Sequence, residues 1–174
     1  LVCEFLGSTE RKIAIFTHHL DSRDIVAARL DPVLKEYDFE PCTILTKGDN
    51  VQEEIEEFRK GNSRVIILST LAHGESINLQ FLSDSILHER QWNPSNEDQA
   101  ISGRFRRIGQ ESKHLNCIIP IALGTIDEYF LELVERKKGI CNEIDTEKRG
   151  DEGNSSFTLE LAEMIASKGR ERWK

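Results

Sequence analysis

Cysteine is sparse in this chain, and no two cysteines stand close together. Cys3, Cys42, Cys117 and Cys141 form no CxxC pair, so neither a disulfide framework nor a zinc site is expected. With no secretory signal ahead of them, a reducing intracellular compartment is expected, the nucleus if the source is eukaryotic and otherwise the cytoplasm. No apolar run approaches the roughly 18 residues needed to cross a bilayer, so no membrane partner is expected. Positive charge is short as well. Lys and Arg number 23 against 31 Asp and Glu, a balance of -8 that repels a polyanion unless a local patch reverses it. One stretch does: between Ile101 and Lys113, Arg104, Arg106, Arg107 and Lys113 stand against Glu111 alone, a local excess of three. Adjacent His18 and His19 have no third ligand at suitable spacing, so no metal site is expected, and no internal repeat is visible.

At 174 residues, with 38% hydrophobic content, there is material for one α/β domain with a buried core. Apolar runs of strand character recur at Lys12–Thr17, Pro41–Thr46, Arg64–Ser69, Ser85–His88 and Leu115–Ile121, in the manner of buried parallel strands. Helix candidates alternate with them at Asp21–Glu36, Asn50–Lys60, Asn96–Arg107 and Thr125–Lys138. That rhythm predicts a doubly wound, mostly parallel sheet with helices on both faces. Asp49 or Asn50 serves as N-cap of the second helix, Val51, Ile55 and Phe58 form its apolar face, and Gly61 and Asn62 stop it. Thr125 and Glu128 are spaced as a capping box, Ile126, Tyr129, Phe130 and Leu133 continue as an apolar face, and that helix is expected to end near Gly139. Residues 1–11 have the look of a lead-in cut from a longer chain, residues 12–140 of the domain itself, residues 141–156 of a charged linker or loop, and residues 157–174 of a short helix and tail.

The most specific stretch is Gln-Trp-Asn-Pro-Ser, Gln91–Ser95, leading into Glu-Asp-Gln-Ala-Ile-Ser-Gly-Arg-Phe-Arg-Arg-Ile-Gly-Gln, Glu97–Gln110. It resembles the last conserved motif of Swi/Snf-type ATPases, a branch of helicase superfamily two. The run Leu68–Leu79 resembles that family's fifth motif, with His73 and Ser76 where glycines are usual, and Lys12–His19 resembles its fourth. The resemblance spans Lys12–Ile140 and implies a RecA-like fold, specifically the second, C-terminal helicase lobe. It further implies catalytic roles for Arg104 and Arg107, nucleotide contact through Gly74, Glu75 and Gln99 with those arginines, and DNA contact through Thr17, His18, Lys47, Ser69 and Thr70. The chemistry fits phosphoryl transfer, where a guanidinium stabilises charge that grows on the γ-phosphate without giving up its proton. Arg104 and Arg107, three apart on a helix, share a face. Five positions separate Gln99 from Arg104 where the family has four, and one added residue in a helix turns everything beyond it by about 100°.

Two motifs that a complete motor needs are absent from the sequence: the GxxxxGK[ST] phosphate loop and the acidic motif for magnesium. ATP and Mg are therefore expected to be held mainly by the N-terminal helicase lobe of the same polypeptide, and the isolated chain to be inactive as an ATPase. The resemblance implies double-stranded DNA backbone as a partner, with nucleosomes or other DNA-bound proteins beyond it. Two further readings stay open: a non-catalytic DNA- or protein-binding module that keeps the lobe fold, and a strand-separating or restriction-type motor of the same superfamily.

Overall fold

The computed structural model describes residues 1–45, 50–70, 77–90, 94–105, 109–144 and Ala166, with the backbone alone for 94–95, 102–104 and 137–144. Its elements in chain order are α1 (Val2–Ser8), β1 (Ile13–Thr17), α2 (Leu20–Glu36), β2 (Thr43–Ile44), α3 (Val51–Lys60), β3 (Val65–Ser69), β4 (Asp84–Leu87), α4 (Pro94–Phe105), β5 (Asn116–Ile118) and α5 (Ile126–Ile144). The chain divides into two compact units, Leu1–Glu89 with Ser95–Pro120, and Arg90–Pro94 with Ile121–Lys174.

The first unit is built on a five-stranded sheet in the order β2-β3-β1-β4-β5. Every pair of neighbours is parallel, with Ile15 opposite both Ile67 and Ile86. β1 lies at the centre and all five of its residues are buried, because a strand covered by helices on both faces has no side left for polar residues. The two-residue period of the strand divides its side chains between two cores. Ala14 and Phe16 join Ile66, Leu68 and Leu87 under Ile55 and Phe58 of α3 and Ala100 and Phe105 of α4. Ile13 and Ile15 join Val65, Ile67 and Ile86 under Leu6 of α1 and Ala27 and Leu34 of α2. The sheet therefore carries helices on both faces, as the alternating pattern predicts.

Helix ends follow from local chemistry. Asn50 is the N-cap of α3 through its backbone, its carbonyl accepting from Glu54 N at 3.0 Å, with no side-chain cap. At the other end Gly61 N donates to Glu57 O at 2.7 Å, and a Cβ on Gly61 would stand 2.9 Å from that same carbonyl, so the close approach needs glycine. Lys12, just ahead of β1, seals this C-terminus: Nζ donates to Phe58 O, Gly61 O and Ser63 O at 2.5, 2.7 and 2.8 Å. Burial, and then the neighbouring Arg64, lower the Lys12 pKa despite Glu40. At the end of α2, Asp38 takes the left-handed conformation, φ 61°, while Phe39 N donates back to Leu34 O at 2.9 Å.

Several details depart from the sequence expectations. Residues Val2–Ser8 are helical, with Leu6 buried, and the Arg64 guanidinium donates to the carbonyls of Thr9 and Arg11, so much of the lead-in is tied to the sheet. Only Thr43–Ile44 of the Pro41–Thr46 run enters the ladder. β5 is a half-exposed edge strand, not a buried one, since no further strand covers it among the described residues. In the second unit α5 runs through Gly139 to Ile144, because a single glycine weakens a helix without ending it. That helix starts with Thr125 Oγ accepting from Asp127 N at 3.2 Å, while the Asp127 carboxylate, not that of Glu128, accepts from Ala122 N at 3.1 Å. Among its described side chains Leu133 and Val134 are buried, and Ile126, expected on the apolar face, is 46% exposed. The 157–174 tail, apart from helical Ala166, lies outside the described residues.

Candidate functional site

In an open parallel sheet, ligands bind beyond the carboxyl ends of the strands, where successive connections leave in opposite directions. Here the chain leaves β1 toward β2 on one side and leaves β4 toward β5 on the other, so the crevice lies between the ends of β1 and β4. β1 and β3 end in register, Thr17 opposite Ser69. Thr70 turns back on this pair: its N–H and its hydroxyl both donate to Thr17 O, at 2.8 and 3.1 Å. Thr17 and Thr70 are buried at 1% and 3% exposure, whereas Ser69 is half-buried. Of these three hydroxyl residues Ser69 is the most open to an incoming phosphate.

Between β1 and β4 the ladder continues to His88 N, which donates to Phe16 O at 2.9 Å. One residue further, Glu89 crosses the crevice. Its Oε2 accepts from His18 N at 2.6 Å and His19 N at 2.9 Å, and its Oε1 accepts from Ser22 Oγ at 2.5 Å. The carboxylate thus occupies the N-terminal donors of α2, whose N-cap is His19, a position that hydrogen bonding and the helix dipole both favour for an anion. Partial burial pushes the Glu89 pKa up, but the Ser22 hydroxyl, the two backbone N–H groups and His19 outweigh it and hold the carboxyl below its usual range. The His18 ring packs edge-on against His19, centroids 4.5 Å apart, with its Nδ1 buried and without a hydrogen-bond partner.

α4 is α-helical from Pro94 to Phe105. Glu97 and Ala100 are fully buried and Phe105 is 2% exposed, while Gln99 faces solvent. The Phe105 ring meets Phe16 of β1 edge to face, 6.0 Å between centroids at 70°. Beyond it Gly109 and Gln110 of the motif have a structural role. Gly109 adopts φ +98°, and a Cβ there would stand 3.3 Å from the Gln80 side chain. Gln110 Nε2 donates to Phe105 O at 2.9 Å and Leu82 O at 3.1 Å, satisfying a terminal carbonyl of α4 and tying it to the approach to β4.

The structure therefore brings Thr17, His18, Ser69 and Thr70 to one edge of the sheet. Arg104 is placed by its backbone only, in the last turn of α4, and Lys47, Gly74, Glu75 and Arg107 lie outside the described residues. Glu89 was missed from the sequence, and nothing short of a pairing between residues 18 and 89 would have signalled it. The described residues at this edge supply hydroxyls, backbone amides already bonded to a carboxylate, and no group of three or more metal-ligating side chains.

Fold and edge together define a RecA-like α/β domain. The helicase conserved C-terminal domain family matches residues 1–109, and the chain belongs to that family. Its relatives are Swi/Snf-type ATPases. The DNA repair protein RAD5 of Candida glabrata is 30% identical over 147 residues, which is 82% of this chain and 13% of that protein. The human SWI/SNF-related matrix-associated actin-dependent regulator of chromatin subfamily A containing DEAD/H box 1 is 39% identical over 101 residues, 58% of this chain and 10% of that protein. The chain thus spans roughly a tenth of the curated relatives it matches. Among solved structures, the C-terminal part of the Fun30 ATPase domain superposes with a TM-score of 0.73 over 98% of this chain and 53% of that one, at 24% identity, and shares the fold.

Proposed function

We propose that this chain is the second motor lobe of an ATP-dependent double-stranded-DNA translocase of the chromatin-remodelling, protein-displacement or DNA-repair type. In this role Arg104 and Arg107 reach a nucleotide bound mainly by the N-terminal lobe of the same polypeptide, where ATP and Mg are held. There the guanidinium groups stabilise charge developing on the transferred phosphoryl oxygens. Ser69, His18 and Lys47 face the duplex backbone, while Thr17 and Thr70, both buried and bonded to each other, shape the strand ends that present them. Phosphate contacts carry no sequence information, so the motor would track any duplex, and the binding would weaken steeply with salt. A nuclear location follows from the same proposal, as does a route to nucleosomes or other DNA-bound proteins. Lacking the phosphate loop, the chain alone would not hydrolyse ATP.

The observation that carries this reading is the anchoring of α4. Its last described turn, which includes Arg104, is clamped by Phe105 on Phe16 of the central strand and by Gln110, which joins Phe105 O to Leu82 O on the approach to β4. A fixed helix end is what a charge-stabilising arginine needs, because catalysis of this kind depends on pre-organisation. A non-catalytic module is the second reading, favoured by the solvent-facing Gln99 on an uninterrupted α4. Arg107→Ala in the full-length protein separates the two. The motor predicts that DNA-stimulated ATP hydrolysis falls about 10³-fold, and hydrolysis at the wild-type rate would leave the module.

A further inference from the structure

The carboxylate of Glu89 makes three hydrogen bonds at the ligand edge that none of the sequence motifs accounts for. The parallel ladder between β1 and β4 ends at Phe16 O and His88 N. Past that point, the turn after β1 is joined to the exit of β4 by the side chain of Glu89, through its bonds to His18 N, His19 N and Ser22 Oγ. His18 has a buried Nδ1 without a partner, so its ring does not anchor the turn through that atom, and the carboxylate largely sets the turn's position. One side chain therefore ties the loop proposed to meet the duplex to the exit of β4.

We propose that Glu89 is a positioning residue that holds the His18–His19 turn in the conformation in which it meets the duplex. This rests on the translocase reading given above. By fixing the amides of His18 and His19 against the exit of β4, the carboxylate keeps the turn in one conformation, so a duplex phosphate meets it without first ordering it. Without the carboxylate the turn is free to shift and the duplex binds more weakly, while the nucleotide side is untouched. The groups facing the carboxylate are His18, His19 and Ser22 from the turn and α2, with His88 and Arg90 beside it in sequence.

The test is ATP hydrolysis by the full-length protein as a function of duplex DNA concentration. Glu89→Ala is expected to raise the DNA concentration for half-maximal stimulation about tenfold, the scale of one charge-assisted hydrogen bond, with the KM for ATP unchanged. Glu89→Gln is expected to restore most of it, because one carboxamide oxygen accepts both backbone N–H groups and the amide donates to Ser22. A purely structural role would lower the melting temperature without this split between DNA and ATP. If Glu89→Ala does not fold, Ser22→Ala replaces it, removing one bond of three, with an expected rise of about threefold. Half-saturation at the wild-type DNA concentration in these variants, or a Gln variant as impaired as Ala, overturns the proposal. Arg107→Ala measured alongside keeps the two ideas apart: if it leaves hydrolysis intact the translocase reading fails, whereas loss of hydrolysis there together with an unaffected Glu89→Ala sinks the positioning role alone.

Discussion

Replacing Phe105 by alanine removes the ring that fixes α4 to the central strand. The side chain is 2% exposed and meets Phe16 edge to face at 6.0 Å. A cavity of about 70 Å³ already lies against it, lined by Ile101, Leu115 and Cys117 among others, so the truncated site would merge with existing space. The rest of its wall comes from β4 and β5, which the sheet ladder holds in place. A Phe to Ala change in a core costs about 3–5 kcal/mol, and poor collapse places this one toward the upper end; about 1 kcal/mol of it is the aromatic pair itself. For a chain of this length each kcal/mol moves the melting temperature by about 2–4 °C, which gives a fall of roughly 6–20 °C. Urea denaturation followed by far-UV circular dichroism reads the same quantity. With a slope near 2 kcal/mol per molar, the midpoint should drop by about 1.5–2.5 M with the slope unchanged. Phe105→Leu, which keeps most of the volume, should lose less than half as much. A midpoint for Phe105→Ala within about 0.3 M of the parent would refute the claim that this contact holds α4 in place.

Two further stability measurements test the local chemistry. Lys12→Ala strips three carbonyls at the end of α3 of their common donor and should cost about 2–3 kcal/mol by urea denaturation; a loss under about 0.5 kcal/mol would mean that water serves those carbonyls equally well. In the folded state Glu89 is held below the ordinary glutamate value of 4.5, so its contribution is present above that value and lost as pH falls through the lowered one. The stability gap between the parent and Glu89→Gln should therefore be constant from pH 7 to about 5 and shrink steadily as pH falls further; a gap that stays the same down to pH 3 would contradict the bonding described for the carboxylate.

The central sheet was readable because strands buried on both faces leave continuous apolar runs, and Ile13–Thr17 and Val65–Ser69 show this without interruption. α3 was readable from Val51, Ile55 and Phe58 against a glutamate-rich outer face, which is how it packs. Short or edge elements were not. α1 has seven residues and no side-chain cap, and its burial of Leu6 depends on a surface made by distant strands. β2 and β5 lie at the sheet margins, where pairing on one side shortens a strand and relaxes its pattern. Glu89 sits in the polar run His88–Gln91, where no periodicity points at it, and its partners are 67 to 71 residues away in sequence. In the motif at the end of α4, Gly109 and Gln110 stood out as part of a resemblance. Their physical reason, a left-handed turn and a bond to the helix terminus, becomes visible only when Gln80, Leu82 and Phe105 are brought beside them.

The measurement that bears most directly on the motor lobe is single-turnover ATP hydrolysis by full-length Arg107→Lys in saturating duplex DNA, with ATP binding determined in parallel. A lysine keeps the positive charge but loses the planar, two-pronged donor. The account predicts that ATP binds within about threefold of the parent affinity while the chemical step slows by about 10²-fold or more. Hydrolysis at the parent rate, or a loss confined to ATP binding, would contradict it.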